Sequence, residues 1–134
     1  MKPLGKTPIV LTVDDDSEVR RFIRRALERD GYHVREAASG IEALALLADG
    51  DPLDLLIADL EMPALAGEEM ARQIRTARPD QRVLYCTGYP EQLFAARGVL
   101  WQYEAFIEKP FTPAGLLEAV SLILYGTIHR PTAA

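Results

Sequence analysis

Ile9-Val10-Leu11-Thr12-Val13-Asp14-Asp15-Asp16 is an apolar run that ends abruptly in three carboxylates. Such a run reads as a strand of a parallel sheet, and residues just past its end fall on the carboxyl edge, where folds of this kind bind their ligands. The pattern recurs along the chain. Leu55-Leu56-Ile57-Ala58 leads to Asp59, Val83-Leu84-Tyr85-Cys86 leads to Thr87, and Ala105-Phe106-Ile107 leads to Lys109. If these runs share one sheet, three carboxylates, a hydroxyl and an ammonium converge on one pocket.

The segments between the runs carry helical patterns, so strand-like and helix-like stretches alternate five times. The first helix begins at Asp16 or Ser17, either of which can cap it. It places Val19, Phe22, Ile23, Ala26 and Leu27 on one face, and Gly31 stops it. A short strand follows over Tyr32 to Ala37. Ser39-Gly40-Ile41-Glu42 has the form of a capping box and starts a helix that runs to about Ala48 and stops at Gly50. Beyond Asp59, Met62-Pro63 opens a loop that ends near Gly67. The third helix carries Glu68 and Glu69 in its first turn and ends before Pro79. A fourth helix, from Pro90 to Arg97, is short and weakly patterned. Thr112-Pro113 caps and opens the last helix, whose buried stripe is Leu116, Leu117, Val120, Ile123 and Leu124. Residues 8–126 are expected to form one domain, with flexible ends at 1–7 and 127–134.

The bulk properties narrow the partners. The chain has 134 residues, 49% hydrophobic and 26% charged, as a water-soluble domain has. A formal net charge of -5 and the lack of a basic stripe argue against direct contact with nucleic acid. Cys86, the single cysteine, lies in an apolar run and reads as an inert buried thiol in a reducing compartment. The first residues lack the apolar core of a signal peptide, and no segment is long enough to span a membrane, so a cytoplasmic location is expected.

The pocket has its own chemistry. Two unit charges about 4 Å apart repel by roughly 4 kcal/mol at an effective dielectric of about 20. A divalent cation relieves that repulsion, and Mg²⁺ takes oxygen ligands and shares them with phosphate groups. Asp15 and Asp59 are the candidate direct ligands, with Asp14 acting through water. Lys109 offers a compact positive charge to Asp59 and to a phosphoryl oxygen. Thr87 offers a hydroxyl, and Gly88 lets the backbone approach closely. Phosphoryl transfer needs positioning and charge neutralisation more than covalent machinery. The carboxylate that faces both metal and lysine, Asp59, is the expected nucleophile.

Val13-Asp14-Asp15, Asp59-Leu60-Glu61-Met62-Pro63, Thr87-Gly88 and Lys109-Pro110-Phe111 resemble, in order and spacing, the motifs of response-regulator receiver domains. The resemblance runs from about Pro8 to Tyr125. It implies an α/β, flavodoxin-like, doubly wound sheet of five parallel strands in the order 2-1-3-4-5. It implies that Asp59 is phosphorylated, with Mg²⁺, by a histidine kinase or a histidine phosphotransfer protein. Asp15, Asp59 and the carbonyl of Glu61 would hold the metal, with Leu60 and Gly88 contacting the phosphoryl group. Lys109-Pro110 would be cis. Thr87 and Phe106 would form the switch, read out on the surface of the fourth helix, fifth strand and fifth helix by a downstream protein. Glu61 and Tyr89 occupy the positions that tune the lifetime of the phosphoryl group.

Some positions depart from the family or read two ways. Ala66 stands where an aspartate often precedes the third helix, so that end lacks a side-chain cap worth about 1 kcal/mol. Phe106 has no phenol, and it reads either as the switch or as a core aromatic. Trp101 and Tyr103 read either as a partner-facing patch or as residues packed under the loop before the fifth strand. His33 and His129 have no partners at ligand spacing. Three functions compete: a phosphorylated binding module that assists only its own phosphorylation and dephosphorylation, a haloacid-dehalogenase-type phosphatase, and a pseudo-receiver that works without phosphorylation. Glu18 stands where the phosphatase motif needs Thr or Val after Asp14 and Asp16, and the complete pocket argues against the pseudo-receiver. The cognate kinase, the output target, the choice between a free-standing regulator and a hybrid-kinase receiver, and any phosphorylation-dependent dimer are not written in the sequence.

Overall fold

The computed structural model describes residues 7–97 and 100–127. In chain order it contains β1 (Ile9–Val13), α1 (Ser17–Arg29), β2 (His33–Ala37), α2 (Gly40–Leu47), β3 (Leu55–Asp59), α3 (Gly67–Ala77), β4 (Arg82–Thr87), α4 (Pro90–Arg97), β5 (Glu104–Glu108) and α5 (Pro113–Tyr125). The strands form one parallel sheet in the order β2-β1-β3-β4-β5, as the family resemblance implies.

Alternate residues of the central strands feed opposite faces of the sheet. Leu11, Leu56, Ala58, Val83 and Tyr85 pack with Ala43, Leu47, Met70 and Ile74 on the α2–α3 side. Val10, Leu55, Ile57, Leu84 and Cys86 pack with Ile23, Leu27, Leu116, Val120 and Leu124 on the α1–α5 side. Both faces are therefore covered, which is why these strands read as unbroken apolar runs. Burial also pushes the Cys86 thiol well above the ordinary thiol range, so it stays protonated and inert.

Local signals set the helix ends. Asp16, rather than Ser17, caps α1 by accepting the Glu18 N–H at 2.9 Å, and Gly31 follows at φ 98°. Ser39 Oγ accepts the Glu42 N–H at 3.1 Å, while the Glu42 carboxylate reaches back to the Ala38 N–H, one residue before the cap. Thr112 Oγ1 accepts the Gly115 N–H at 3.0 Å. Ala66 provides no side-chain cap. Two apolar-run readings shift in detail. β2 starts one residue later than expected, because the Tyr32 N–H bonds back to the Leu27 carbonyl. β4 and β5 extend beyond their apolar runs because ladder pairing does not require apolar side chains: Val83 pairs with Glu104, and Thr87 with Glu108. Asp59 and Thr87 are thus the last rungs of their strands rather than the first loop residues.

Of the expected flexible ends, only Thr7 and Thr127 are among the described residues, and His129 is not. The Thr127 carbonyl accepts a hydrogen bond from Ser121 Oγ at 2.7 Å.

α3 begins hard against the end of β3. A Cβ placed on Gly67 would overlap the Asp59 carbonyl oxygen and lie 2.9 Å from its carbon. Backbone cannot yield as a side-chain tip can. Gly67→Ala is therefore expected to lower stability by about 2 kcal/mol in urea titrations. Gly88→Ala, where a Cβ meets nothing within 4 Å, should stay within about 0.5 kcal/mol of the parent.

Candidate functional site

β1 and β3 are neighbours, yet their following segments, leading to α1 and α3, leave toward opposite faces of the sheet. Among the described residues no helix closes over the strand ends between them, and the pocket opens there. Asp14 follows β1, Asp59 ends β3, Thr87 ends β4 and Lys109 follows β5. One carboxylate oxygen from each of Asp14, Asp15 and Asp59 lies within 4.8 Å of the others. Asp14 and Asp59 are buried and Asp15 is exposed, so the cluster is closed below and open to water above. Oxygen-only donors with room for water suit a hard cation such as Mg²⁺.

Lys109 bridges the two buried carboxylates. Its Nζ donates to Asp59 Oδ1 at 3.1 Å and to Asp14 Oδ2 at 3.2 Å. The lysine is placed by its own backbone: the Lys109 N–H donates to the Thr87 carbonyl at 2.8 Å, and the Lys109-Pro110 peptide is cis, as expected. Burial pulls the Lys109 ammonium down, but the hydrogen bond to Asp59 and the charges of Asp14 and Asp59 outweigh it, and it stays above the usual lysine value. Burial raises the Asp59 carboxyl above its ordinary range, and the charge of Asp14 adds to the rise. The lysine offsets this only in part.

The two oxygens of Asp59 are not equivalent. Oδ1 accepts from Lys109 and, at 3.3 Å, from the Glu61 N–H. Oδ2 accepts no hydrogen bond from the described residues. The Asp14 loop is held from both sides: Asp14 Oδ1 accepts the Asp16 N–H at 2.9 Å, and the Asp14 N–H donates to the Ala37 carbonyl at 3.2 Å. Arg20, absent from the expected site, donates to the Asp14 carbonyl at 2.7 Å and is itself anchored on Glu36 at 3.0 Å. Nothing in the sequence pairs Arg20 with Glu36, because the contact joins a helix to a strand that meet only in the fold.

Thr87 is fully buried. Its hydroxyl donates to Glu61 Oε2 and accepts the Tyr89 N–H at 2.8 Å, while the Gly88 N–H donates to Glu61 Oε1 at 3.3 Å. The Leu60 N–H donates to the Cys86 carbonyl at 3.1 Å. Tyr89 is exposed beside the opening.

The aromatic residues of the fourth-helix side separate. Phe106 is not in the core: it is 36% exposed and packs edge-on against Phe94 of α4, with ring centroids 5.4 Å apart. Trp101 is 48% exposed, whereas Tyr103 stacks over the Arg82 guanidinium at 5.5 Å. Of the two readings, Trp101 follows the exposed one and Tyr103 the packed one.

Comparisons with known proteins agree with the site. Residues 10–121 match the response regulator receiver domain. The chain is 35% identical over 122 residues to the sensor kinase CckA of Brucella abortus, covering 90% of this chain and 13% of that protein. It is 36% identical over 118 residues to the response regulator MprA of Mycobacterium sp., covering 88% of this chain and 51% of that one. The chain therefore spans about half of MprA and a small part of CckA. The solved structure of the response regulator TrrA from Thermotoga maritima, in complex with Mg²⁺-BeF, superposes with a TM-score of 0.77 at 30% identity, covering 88% of this chain and 100% of that one. The chain belongs to the response regulator receiver family, the phosphorelay modules of two-component systems. No helix among the described residues is long and apolar enough to cross a membrane.

The raised Asp59 carboxyl fixes a sign. Native Asp59 holds its proton more tightly than the unfolded chain does, so its ionisation opposes folding. The penalty is absent below the ordinary carboxylate range, grows as pH rises from there toward the raised native value, and is complete once that value is passed. Asp59→Asn is expected to raise metal-free stability at pH 7 by about 1 kcal/mol, a few degrees in melting temperature. The gain should vanish near pH 3 and shrink when Mg²⁺ stabilises the parent.

Proposed function

We propose that the chain is a phosphoacceptor receiver, phosphorylated on Asp59, and that it signals through the face formed by α4, β5 and α5. The observation that carries this reading is the asymmetry of Asp59 within an acidic cluster: one oxygen is fixed by Lys109 and the Glu61 N–H, and the other accepts no hydrogen bond from the described residues. Asp59 Oδ2 attacks the phosphorus of a phosphohistidine on a kinase or phosphotransfer protein. The N–P bond breaks, its electron pair returns to the imidazole, and an acyl phosphate forms on Asp59. Asp15, Asp59 and the Glu61 carbonyl would hold Mg²⁺, with Asp14 acting through water. The bound ion supplies the positive charge that offsets the phosphoryl oxygens.

Lys109 keeps its hold on the pocket through Asp14 when the Asp59 oxygens are engaged, and it faces the incoming phosphoryl group. Thr87 and Gly88 supply the donors on the β4 side. Phe106, half-exposed against Phe94, is the ring whose reorientation changes the output face.

The donor approaches over α1. Val19, Phe22, Pro110 and Phe111 form an apolar lip beside Lys109, with Phe22 and Phe111 edge-on at 5.8 Å. Exposed Arg21, Arg25 and Arg29 continue it along the helix, a short basic row that corrects the expectation of no basic stripe: the three lie four residues apart and share a face only once α1 forms. On an acidic chain this row suits an acidic helical partner.

Intact mass after incubation with acetyl phosphate and Mg²⁺ tests the reading. The parent is expected to gain one phosphoryl group, and Asp59→Asn or chelation of the metal to abolish the gain. No uptake by the parent from acetyl phosphate or from a histidine phosphotransfer protein defeats the proposal. Charge reversal at Arg21 and Arg25 to Glu is expected to slow transfer from a phosphotransfer protein by tenfold or more and to leave acetyl phosphate uptake unchanged.

A further inference from the structure

Glu61 lies in the loop after β3, two residues beyond Asp59, and is exposed. Its carboxylate nevertheless spans to the end of β4. Oε2 accepts the Thr87 hydroxyl and Oε1 accepts the Gly88 N–H at 3.3 Å. Thr87 is fully buried, and its oxygen already accepts the Tyr89 N–H at 2.8 Å. A hydroxyl has one proton to give. While Glu61 holds that proton, Thr87 can donate to nothing else.

We propose that Glu61 is a positioning residue whose carboxylate holds the Thr87 hydroxyl and the Gly88 N–H in the resting protein, in direct competition with the phosphoryl group on Asp59. The proposal rests on the reading of Asp59 as phosphoacceptor and adds to it a resting-state occupant for the β4 donors. A carboxylate is a fair stand-in for a phosphoryl face, since each presents anionic oxygens to two donors at once. The two anions cannot share them: Thr87 has a single proton, and a phosphoryl group brings close to two negative charges near the glutamate.

The asymmetry of burial sets the direction of release. Glu61 can swing into water, where its charge is solvated, whereas Thr87 is enclosed and must find its acceptor inside the pocket. Phosphorylation would therefore expel Glu61 and leave Thr87 free to turn toward Asp59. The glutamate raises the threshold for switching, because its hydrogen bonds must be given up before the active arrangement forms.

Two readouts test this in the intact chain. The first needs no phosphoryl group: the Thr87 methyl resonance and its rotamer-dependent couplings in metal-free protein. Glu61→Ala is expected to release Thr87 into averaging rotamers. Glu61→Gln, whose amide oxygen can still accept the hydroxyl, should keep the parent rotamer. The second is affinity for beryllofluoride, a phosphoryl mimic, at saturating Mg²⁺. Glu61→Ala should bind about tenfold more tightly than the parent, with Glu61→Gln in between. Equal gains from Ala and Gln would mean that charge alone acts and would overturn the latch. An unchanged Thr87 signal in Glu61→Ala would overturn it as well. Failure of the parent and both variants to bind beryllofluoride would overturn the phosphoacceptor reading and the competition built on it, while the Thr87 signal still reports whether the resting contact exists.

Discussion

Two buried carboxylates share one ammonium. Asp14 and Asp59 sit almost out of reach of water, close enough to repel each other, and among the described residues Lys109 is the single cation that reaches both. Removing the lysine would leave two uncompensated charges in a poor solvent, so the end of β5 must stay where Lys109 can bridge. Its backbone bond to the Thr87 carbonyl does this and, in the same contact, registers β5 against β4. Lys109 therefore ties the pocket to the edge strand that the β4–β5 ladder already registers.

This arrangement leaves the acidic cluster under-neutralised. Three carboxylates face one ammonium, and Asp59 remains harder to ionise than a free aspartate. A structure selected for stability alone would replace one of these groups with an apolar or amide side chain. The imbalance fits the proposed site for a cation and a phosphoryl group, where the missing positive charge would come with the ion. Gly67 belongs to the same economy of space. It lets α3 start against the Asp59 carbonyl, although position 66 offers no capping side chain.

The surroundings of the pocket divide by function. On the β1 side, Arg20 and Glu36 stiffen the loop that carries Asp14 and Asp15. On the β4 side the contacts are of a kind that can be exchanged: an exposed glutamate holding a buried hydroxyl, and an aromatic pair, Phe94 and Phe106, at the surface. A stiffened β1 side and an exchangeable β4 side suit the proposed two-state module, in which binding would leave the former undisturbed and redirect the latter.

Much of this was legible along the chain. Apolar runs ending in Asp14, Asp59 and Thr87 named three strands and most of the pocket, because a strand buried on both faces has no freedom to hide its pattern. The partly exposed edge strand β5, leading to Lys109, gave only the short run Ala105-Phe106-Ile107. Helix ends were legible for the same local reason: Asp16, Ser39 and Thr112 act on backbone within three residues. Strand order became legible only through the four motifs taken together. What tertiary structure alone decided are contacts between residues distant in sequence: Arg20 with the Asp14 carbonyl and Glu36, Glu61 with Thr87 and Gly88, Tyr103 over Arg82, and Phe106 outside the core against Phe94. Spacing carries no information about them, since each depends on where two elements meet and how far a flexible side chain reaches once they do.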